Sequence, residues 1–196
     1  MKYHEHAVGE SSEWRTPPEI FHALGLEFDL DPCAPEDGYC CVPAKRRYTR
    51  RDDGLMLPWG KGLAFVNPPW SEKRRGVVAW LLKFNAHEDG GVFLCVARTS
   101  ADWFQDVALA HAELICFPST KTRFLKPDGS LGPEPTNGIA LIAKGEVACE
   151  ALRQSGLGYC LIVDRTASPP RARGAAVYPR GQLALTLAGQ DGRPKP

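Results

Sequence analysis

Apolar residues along this chain come in short runs, each closed by Gly, Pro, Asp or Asn, and the runs change period between helix and strand. Ile20, Phe21 and Leu24 lie on one face of a helix that Gly25 ends. Thr16 and Glu19 are spaced as a capping box at its start, with Pro17 as the first helical residue. Residues 27–34 alternate apolar and acidic side chains and predict a first strand with Asp31 at its carboxyl end. Residues 35–50 read as loop, and 63–66 as a short buried strand stopped at once by Asn67-Pro68-Pro69-Trp70. An apolar helix over 77–84 follows, then a strand over 92–97, a helix capped by Asp102 and a strand over 113–117. Residues 122–125 and 139–143 read as a paired edge, joined by a loop over 126–136 long enough to reach over a ligand-binding face. A helix over 147–154 and a strand over 159–163 complete the pattern. Strands alternating with helices predict an α/β fold, a mostly parallel sheet with helices on both faces. One domain over 13–164 is expected, between a flexible 1–12 and a basic, mostly flexible tail over 165–196 whose apolar patch 183–187 could add an edge strand.

With 43% hydrophobic and 24% charged residues, the chain has the make-up of a folded domain and not of a disordered one. No apolar run approaches the ~18 residues of a membrane span. The polar start Met1-Lys2-Tyr3-His4-Glu5-His6 lacks the apolar stretch of a signal peptide, so a cytoplasmic protein without membrane contact is expected. Cys95, Cys116 and Cys160 sit inside apolar runs as small buried hydrophobes. Cys33, Cys40 and Cys41, even joined by His22, fit no usual zinc spacing, and no metal is expected. Net charge is only +1 but unevenly spread: residues 165–196 hold six Lys/Arg and one Asp, a local +5. Inside the acidic remainder, Lys45, Arg46, Arg47, Arg50 and Arg51 precede the Asn-Pro-Pro-Trp stretch, and Lys73, Arg74 and Arg75 follow it. Such clusters are usually solvated faces. Bracketing a candidate site, they also suit a rim that grips nucleic-acid phosphates.

The Asn-Pro-Pro-Trp stretch carries the most specific chemistry. Proline cannot donate to a sheet ladder, and the residue before a proline is held extended. The backbone at Asn67 and Pro68 is therefore stiff, at the end of a strand where open α/β sheets bind ligands. Asn67 offers a side-chain amide, Pro68 a backbone carbonyl and Trp70 a flat face, a set that suits a planar base with an exocyclic amino group. The plainer alternative is a turn in which Asn67 bonds its own backbone and Trp70 packs inside. Asp31, ahead of Pro32, either forms a turn or accepts hydrogen bonds from a ligand ammonium. Asp53-Gly54-Leu55 has the form of a carboxylate in a turn, able to accept from an adenine amine.

Taken in order, Trp14-Arg15-Thr16-Pro17, Phe28-Asp29-Leu30-Asp31-Pro32-Cys33-Ala34, Tyr48-Thr49 with Asp52-Asp53-Gly54-Leu55, Trp59, Asn67-Pro68-Pro69-Trp70 and Trp103-Phe104 resemble the phage-type Dam family of adenine-N6 DNA methyltransferases. The resemblance implies a Rossmann-like methyltransferase fold, S-adenosylmethionine as methyl donor and duplex DNA as substrate. It also implies that Trp14, Thr16, Pro17, Asp31 and Asp53 contact the cofactor, and that Asn67, Pro68, Pro69 and Trp70 form the catalytic quartet. Two features depart from the pattern: Asp31-Pro32 runs into Cys33-Ala34 where larger relatives carry a glycine-rich turn, and the quartet ends in Trp rather than Tyr or Phe. Other amino acceptors (cytosine N4, RNA adenine, a protein glutamine), a catalytically silent DNA-binding module and a nucleotide-binding structural domain are the competing readings.

Overall fold

A strand that is apolar at every position has to be covered on both sides, and Ala64, Phe65 and Val66 are all fully buried. The computed structural model describes residues 14–69 and 76–164. The expectations for residues 1–12, Trp70, Lys73, Arg74, Arg75 and the basic tail from 165 fall outside the described residues. Within them the elements run α1 (Pro18–Leu24), β1 (Phe28–Asp31), β2 (Ala44–Arg47), β3 (Ala64–Val66), α2 (Gly76–Ala86), β4 (Gly91–Val96), a π-helical segment (Phe104–Leu109), β5 (Leu114–Pro118), β6 (Ile139–Lys144), α3 (Glu146–Gln154) and β7 (Gly158–Ile162).

The strands form one seven-stranded sheet in the order β2-β1-β3-β4-β6-β5-β7. The expected parallel arrangement holds for β2, β1, β3 and β4. Beyond β4 every pairing is antiparallel: β6 against β4 and β5, and β7 against β5. Alternate strand residues feed two apolar clusters. Val92 and Leu94 pack with Ile20, Phe21 and Leu24 of α1 and Leu152 of α3. Phe93 and Cys95 pack with Leu81 and Phe84 of α2 and Phe104 and Val107 of the π-helical segment. Phe65 meets Phe21 edge-on at a centroid distance of 4.8 Å and Phe28 at 5.3 Å, an aromatic trio within the first of these clusters. No helix among the described residues is long and apolar enough to cross a membrane.

Several elements differ from their sequence expectation, each for a physical reason. Residues 35–50 are not all loop, because Ala44–Arg47 pairs in parallel with β1 as the outermost strand. Its three charged residues hid it from an apolar pattern, and charge on an exposed edge is what keeps such a strand from recruiting another chain. The link from β1 to β2 is a bare loop, short for a parallel crossover. Residues 122–125 do not pair with 139–143. Leu125 bridges Arg15 and Leu131 instead, while β6 takes a central place between β4 and β5. The capping box is absent: Pro17 occupies the N-cap, and no side chain bonds the first turn of α1. The next helix does begin near Asp102, but residues 102 and 103 are already helical ahead of the π-helical segment, so Asp102 lies in its first turn and not outside it as a cap.

The alternation of residues 27–34 is broken as well. The Leu63 carbonyl accepts both the Asp29 N–H at 2.8 Å and the Leu30 N–H at 3.2 Å. Two residues of β1 thus face one acceptor, the signature of a β-bulge, a device that re-aims side chains near ligand sites. Phe28 and Leu30, which strict alternation would put on one face, accordingly belong to different clusters.

Candidate active site

The chain leaves β1 for β2 on one side and then crosses back to β3 on the other. Parallel strands diverging in this way leave a crevice at their carboxyl ends, where backbone groups are not consumed by the sheet. Asp31 ends β1 and Asn67 follows β3, so both stand at that crevice. A cleft opens there, partly open to solvent, with Trp14, Arg15, Thr16, Asp31, Phe65 and Asn67 in its walls. Three segments distant in sequence thus meet in one cavity.

Each contributes a defined polar atom. The Asn67 amide donates from Nδ2 to Thr16 Oγ1 at 3.0 Å, across 51 residues of sequence. Thr16 is buried at the entrance to α1, and its carbonyl accepts the Cys41 thiol at 3.0 Å. Burial pushes that thiol up to about 11, which keeps it a neutral donor and not a nucleophile. Asp31 is only 3% exposed, and its Oδ1 accepts the Cys33 N–H at 2.9 Å. Desolvation drives the Asp31 carboxyl up to about 7, against the opposing pull of the Cys33 N–H and the Arg47 charge. A carboxylate so placed gains most from a cationic partner entering the cleft. Pro68 is buried and Pro69 half-buried behind Asn67.

Pro17, Pro68 and Pro69 are not in the cleft walls, and Asp53 lies outside them as well. Asp53 adopts a left-handed backbone, φ 59°, with Oδ1 accepting the Leu55 N–H at 3.3 Å. Its turn nevertheless abuts the Asp31 turn, because Gly54 packs on the Pro32 carbonyl. Pro17 serves as the N-cap of α1.

The basic residues ahead of the quartet are engaged by the fold itself. Lys45 pairs with Asp29 at 2.9 Å, Arg46 donates to the Trp59 carbonyl at 2.5 Å, Arg47 to the Val42 carbonyl at 2.7 Å, and Arg51 pairs with Glu36 at 3.1 Å. Lys45, Arg46, Arg47, Arg50 and Arg51 remain exposed along the β2 edge and the turn after it. Among the described residues no group of three or more His, Cys, Asp or Glu is arranged to hold a metal ion.

Arg15, Cys33, Cys40 and Cys41 also line the cleft, though sequence reasoning singled out none of them as a cleft residue. Adjacency to Thr16 was the available signal for Arg15. For the cysteines there was none, since the loop over 32–43 reaches the cleft only through the pairing of β2. The loop over 126–136 lies against the same region, with the Pro127 carbonyl accepting the Tyr39 N–H at 2.9 Å.

A search among curated proteins found no match for the chain. A family model, DNA N-6-adenine-methyltransferase (Dam), matches residues 5–144, and this stretch runs from ahead of the Trp14–Thr16 segment to the end of β6, taking in the whole cleft. The chain therefore belongs to the Dam family of DNA N-6-adenine-methyltransferases.

Proposed function

We propose that the protein transfers a methyl group from S-adenosylmethionine to the N6 amino group of an adenine extruded from duplex DNA. The observation that supports this best is the convergence of Thr16, Asp31 and Asn67 on one cleft at the carboxyl ends of β1 and β3. A Rossmann-like methyltransferase sheet suits that placement, with cofactor and base meeting at the strand switch.

The residues fit the cofactor by their chemistry. Asp31, buried and with a raised pKa, would hold the donor's ammonium by a charge-assisted hydrogen bond. Trp14, half-buried in the cleft wall, would lie along its methionine part beside Thr16 and Pro17. Asp53, in the adjoining turn, would accept from the adenine amine of the donor. When bound, S-adenosylmethionine supplies an electrophilic methyl group on a sulfonium.

The chain's own work is to make a poor nucleophile competent. The exocyclic nitrogen of adenine shares its lone pair with the ring. Asn67 Oδ1 and the Pro68 carbonyl would each accept one of its N–H bonds, drawing the nitrogen towards tetrahedral geometry. Positive charge would grow on the nitrogen as the new N–C bond forms and the methyl–sulfur bond breaks, leaving a neutral thioether. The same two acceptors would stabilise that charge until the nitrogen gives up one proton to solvent, so they act mainly in the transition state. Successive prolines hold the acceptors still, so little reorganisation is needed at the moment of reaction. Trp70 would stack on the base, returning ~1–3 kcal/mol of the few kcal/mol that extrusion costs. Exposed Arg50, the β2 edge and the Lys73-Arg74-Arg75 cluster would follow the phosphates.

Incubating the protein with labelled S-adenosylmethionine and unmethylated duplex DNA, followed by digestion to nucleosides, tests the proposal. Label in N6-methyladenine is the expected result. Label in N4-methylcytosine, or incorporation only into RNA or protein, overturns it.

A further inference from the structure

An amide side chain has two ends of opposite character, and only one serves this reaction. The proposed chemistry needs the Asn67 oxygen aimed at the substrate amine, because the NH2 end would repel it. Nothing in Asn67, Pro68 or Pro69 chooses between the two orientations, since prolines stiffen the backbone but leave the carboxamide able to turn over. The choice is made from outside the quartet. Asn67 Nδ2 lies 3.0 Å from Thr16 Oγ1 and donates to it, which leaves Oδ1 at the other end of the amide.

Thr16 is itself fixed. It is 3% exposed, its carbonyl is held by the Cys41 thiol at 3.0 Å, and the next residue, Pro17, caps α1. The preceding Arg15 pairs through its backbone with Leu125, N–H to carbonyl in both directions at 2.9 Å. This segment is therefore anchored on both sides of Thr16. We infer that Thr16 is a positioning residue for methyl transfer, its hydroxyl fixing the Asn67 amide so that the oxygen faces the substrate amino group. The inference rests on the function proposed above and adds a role that a contact between Thr16 and the cofactor does not contain. It also connects two sites. The segment that walls the cofactor cleft orients the group that activates the base, so displacing Thr16 disorders catalysis before it empties the cleft.

Three measurements on the full chain test this: the single-turnover rate with bound DNA, the equilibrium affinity for S-adenosylmethionine, and the Asn67 side-chain amide resonances in a 15N-labelled sample. Thr16→Val keeps the shape of the side chain and removes the acceptor, while Thr16→Ser keeps the acceptor and removes the methyl. Thr16→Val is expected to lower the rate by about 10- to 100-fold, the scale on which misplacing a catalytic group acts. Its donor affinity should fall much less than its rate, and the Asn67 Nδ2 proton that bonds Thr16 should move upfield and exchange faster with solvent. Thr16→Ser should restore rate and resonance together. Loss of donor affinity in proportion to rate would make Thr16 a cofactor contact only and overturn the inference, as would an unchanged rate in Thr16→Val. The amide resonances are read without any substrate, so a wild-type protein that transfers no methyl group defeats the proposed function, while unaltered resonances in Thr16→Val defeat this inference alone.

Discussion

Gly54 packs directly on the backbone of Pro32, so that a Cβ at residue 54 would overlap the Pro32 carbonyl oxygen. This contact locks the turn that carries Asp53 to the turn that carries Asp31, across a gap that no sheet pairing spans. The Trp59 indole ties the same turn from the other side, donating from Nε1 to the Gly54 carbonyl at 2.8 Å. Replacing Gly54 with Ala should therefore force the two turns apart. The expected cost is about 1–3 kcal/mol, the usual range for overpacking a fixed site. Chemical denaturation measures it, and S-adenosylmethionine affinity should fall more than stability does, because both displaced turns carry proposed cofactor contacts. A Gly54→Ala protein with wild-type stability and affinity would mean that the turns move independently.

In the proposed reaction Asn67 acts on the transition state, so its removal should separate rate from binding. Asn67→Ala is expected to lower the single-turnover rate by roughly 100- to 1000-fold, the scale seen when one preorganised acceptor or donor is deleted. S-adenosylmethionine affinity, measured by calorimetry, should stay within ~1.4 kcal/mol of wild type, less than a tenfold change. Equal loss of both would count against the assigned role.

As a proposed cofactor contact, Asp31 should link acidity to cofactor binding with opposite signs for the empty and the filled protein. Its carboxyl ordinarily titrates at 3.8 and is pushed up to about 7 in the folded chain, by burial first of all. The folded, ligand-free protein thus holds this proton more tightly than the unfolded chain does. The stabilisation is complete below the ordinary value of 3.8 and is lost as pH rises through about 7. A ligand ammonium needs the ionised carboxylate, so S-adenosylmethionine affinity should rise over the same window and level off above it. Asp31→Asn, neutral at every pH, should exceed wild type in stability at pH 8 by an amount on the order of a few kcal/mol. It should also bind the cofactor weakly, with a flatter pH profile between 5 and 8. Thermal melts and calorimetry at the two ends of that range decide the matter.

Much of this fold could be read from residue pattern, and the failures share a cause. β3, β4, β5 and β6 were visible because buried strands are apolar runs, β7 because its run is apolar although it is a largely exposed edge strand, and α1 because Ile20, Phe21 and Leu24 share a helical face and Gly25 ends it. What pattern cannot carry is the identity of a distant partner. Thr16 and Glu19 have capping-box spacing, yet the Thr16 hydroxyl is taken by Asn67, 51 residues away, and that bond joins two walls of the cleft. Residues 139–143 read as an edge because their neighbour at 122–125 was close in sequence, whereas their partners β4 and β5 are remote. β2 shows no apolar alternation because it lies at the edge of the sheet. The bulge at Asp29 and Leu30 leaves no mark in an alternating sequence. The end of β3 was legible because two prolines close an apolar run, but that Trp14, Asp31 and Asn67 share one cavity follows only from the strand order.

The proposed function gives the charge on the β2 side of the molecule two different uses, and substitution separates them. Arg46 donates to the Trp59 carbonyl at 2.5 Å and to the Tyr48 hydroxyl at 3.4 Å, so it closes the loop between β2 and β3. Arg50 is exposed in the turn after β2. If both residues served DNA alone, Ala at either position would weaken binding and leave folding intact. The geometry predicts a split instead. Arg46→Ala should lower stability by roughly 1–3 kcal/mol, because the Trp59 carbonyl loses a charged donor. Arg50→Ala should leave the denaturation midpoint unchanged and weaken binding to duplex DNA of any sequence, reducing the slope of log affinity against log salt by about 1. Fluorescence anisotropy with unrelated duplexes over a salt series, beside denaturation curves for both variants, measures the two effects. A stable Arg46→Ala protein, or an unchanged salt slope for Arg50→Ala, would place the phosphate rim elsewhere on the molecule.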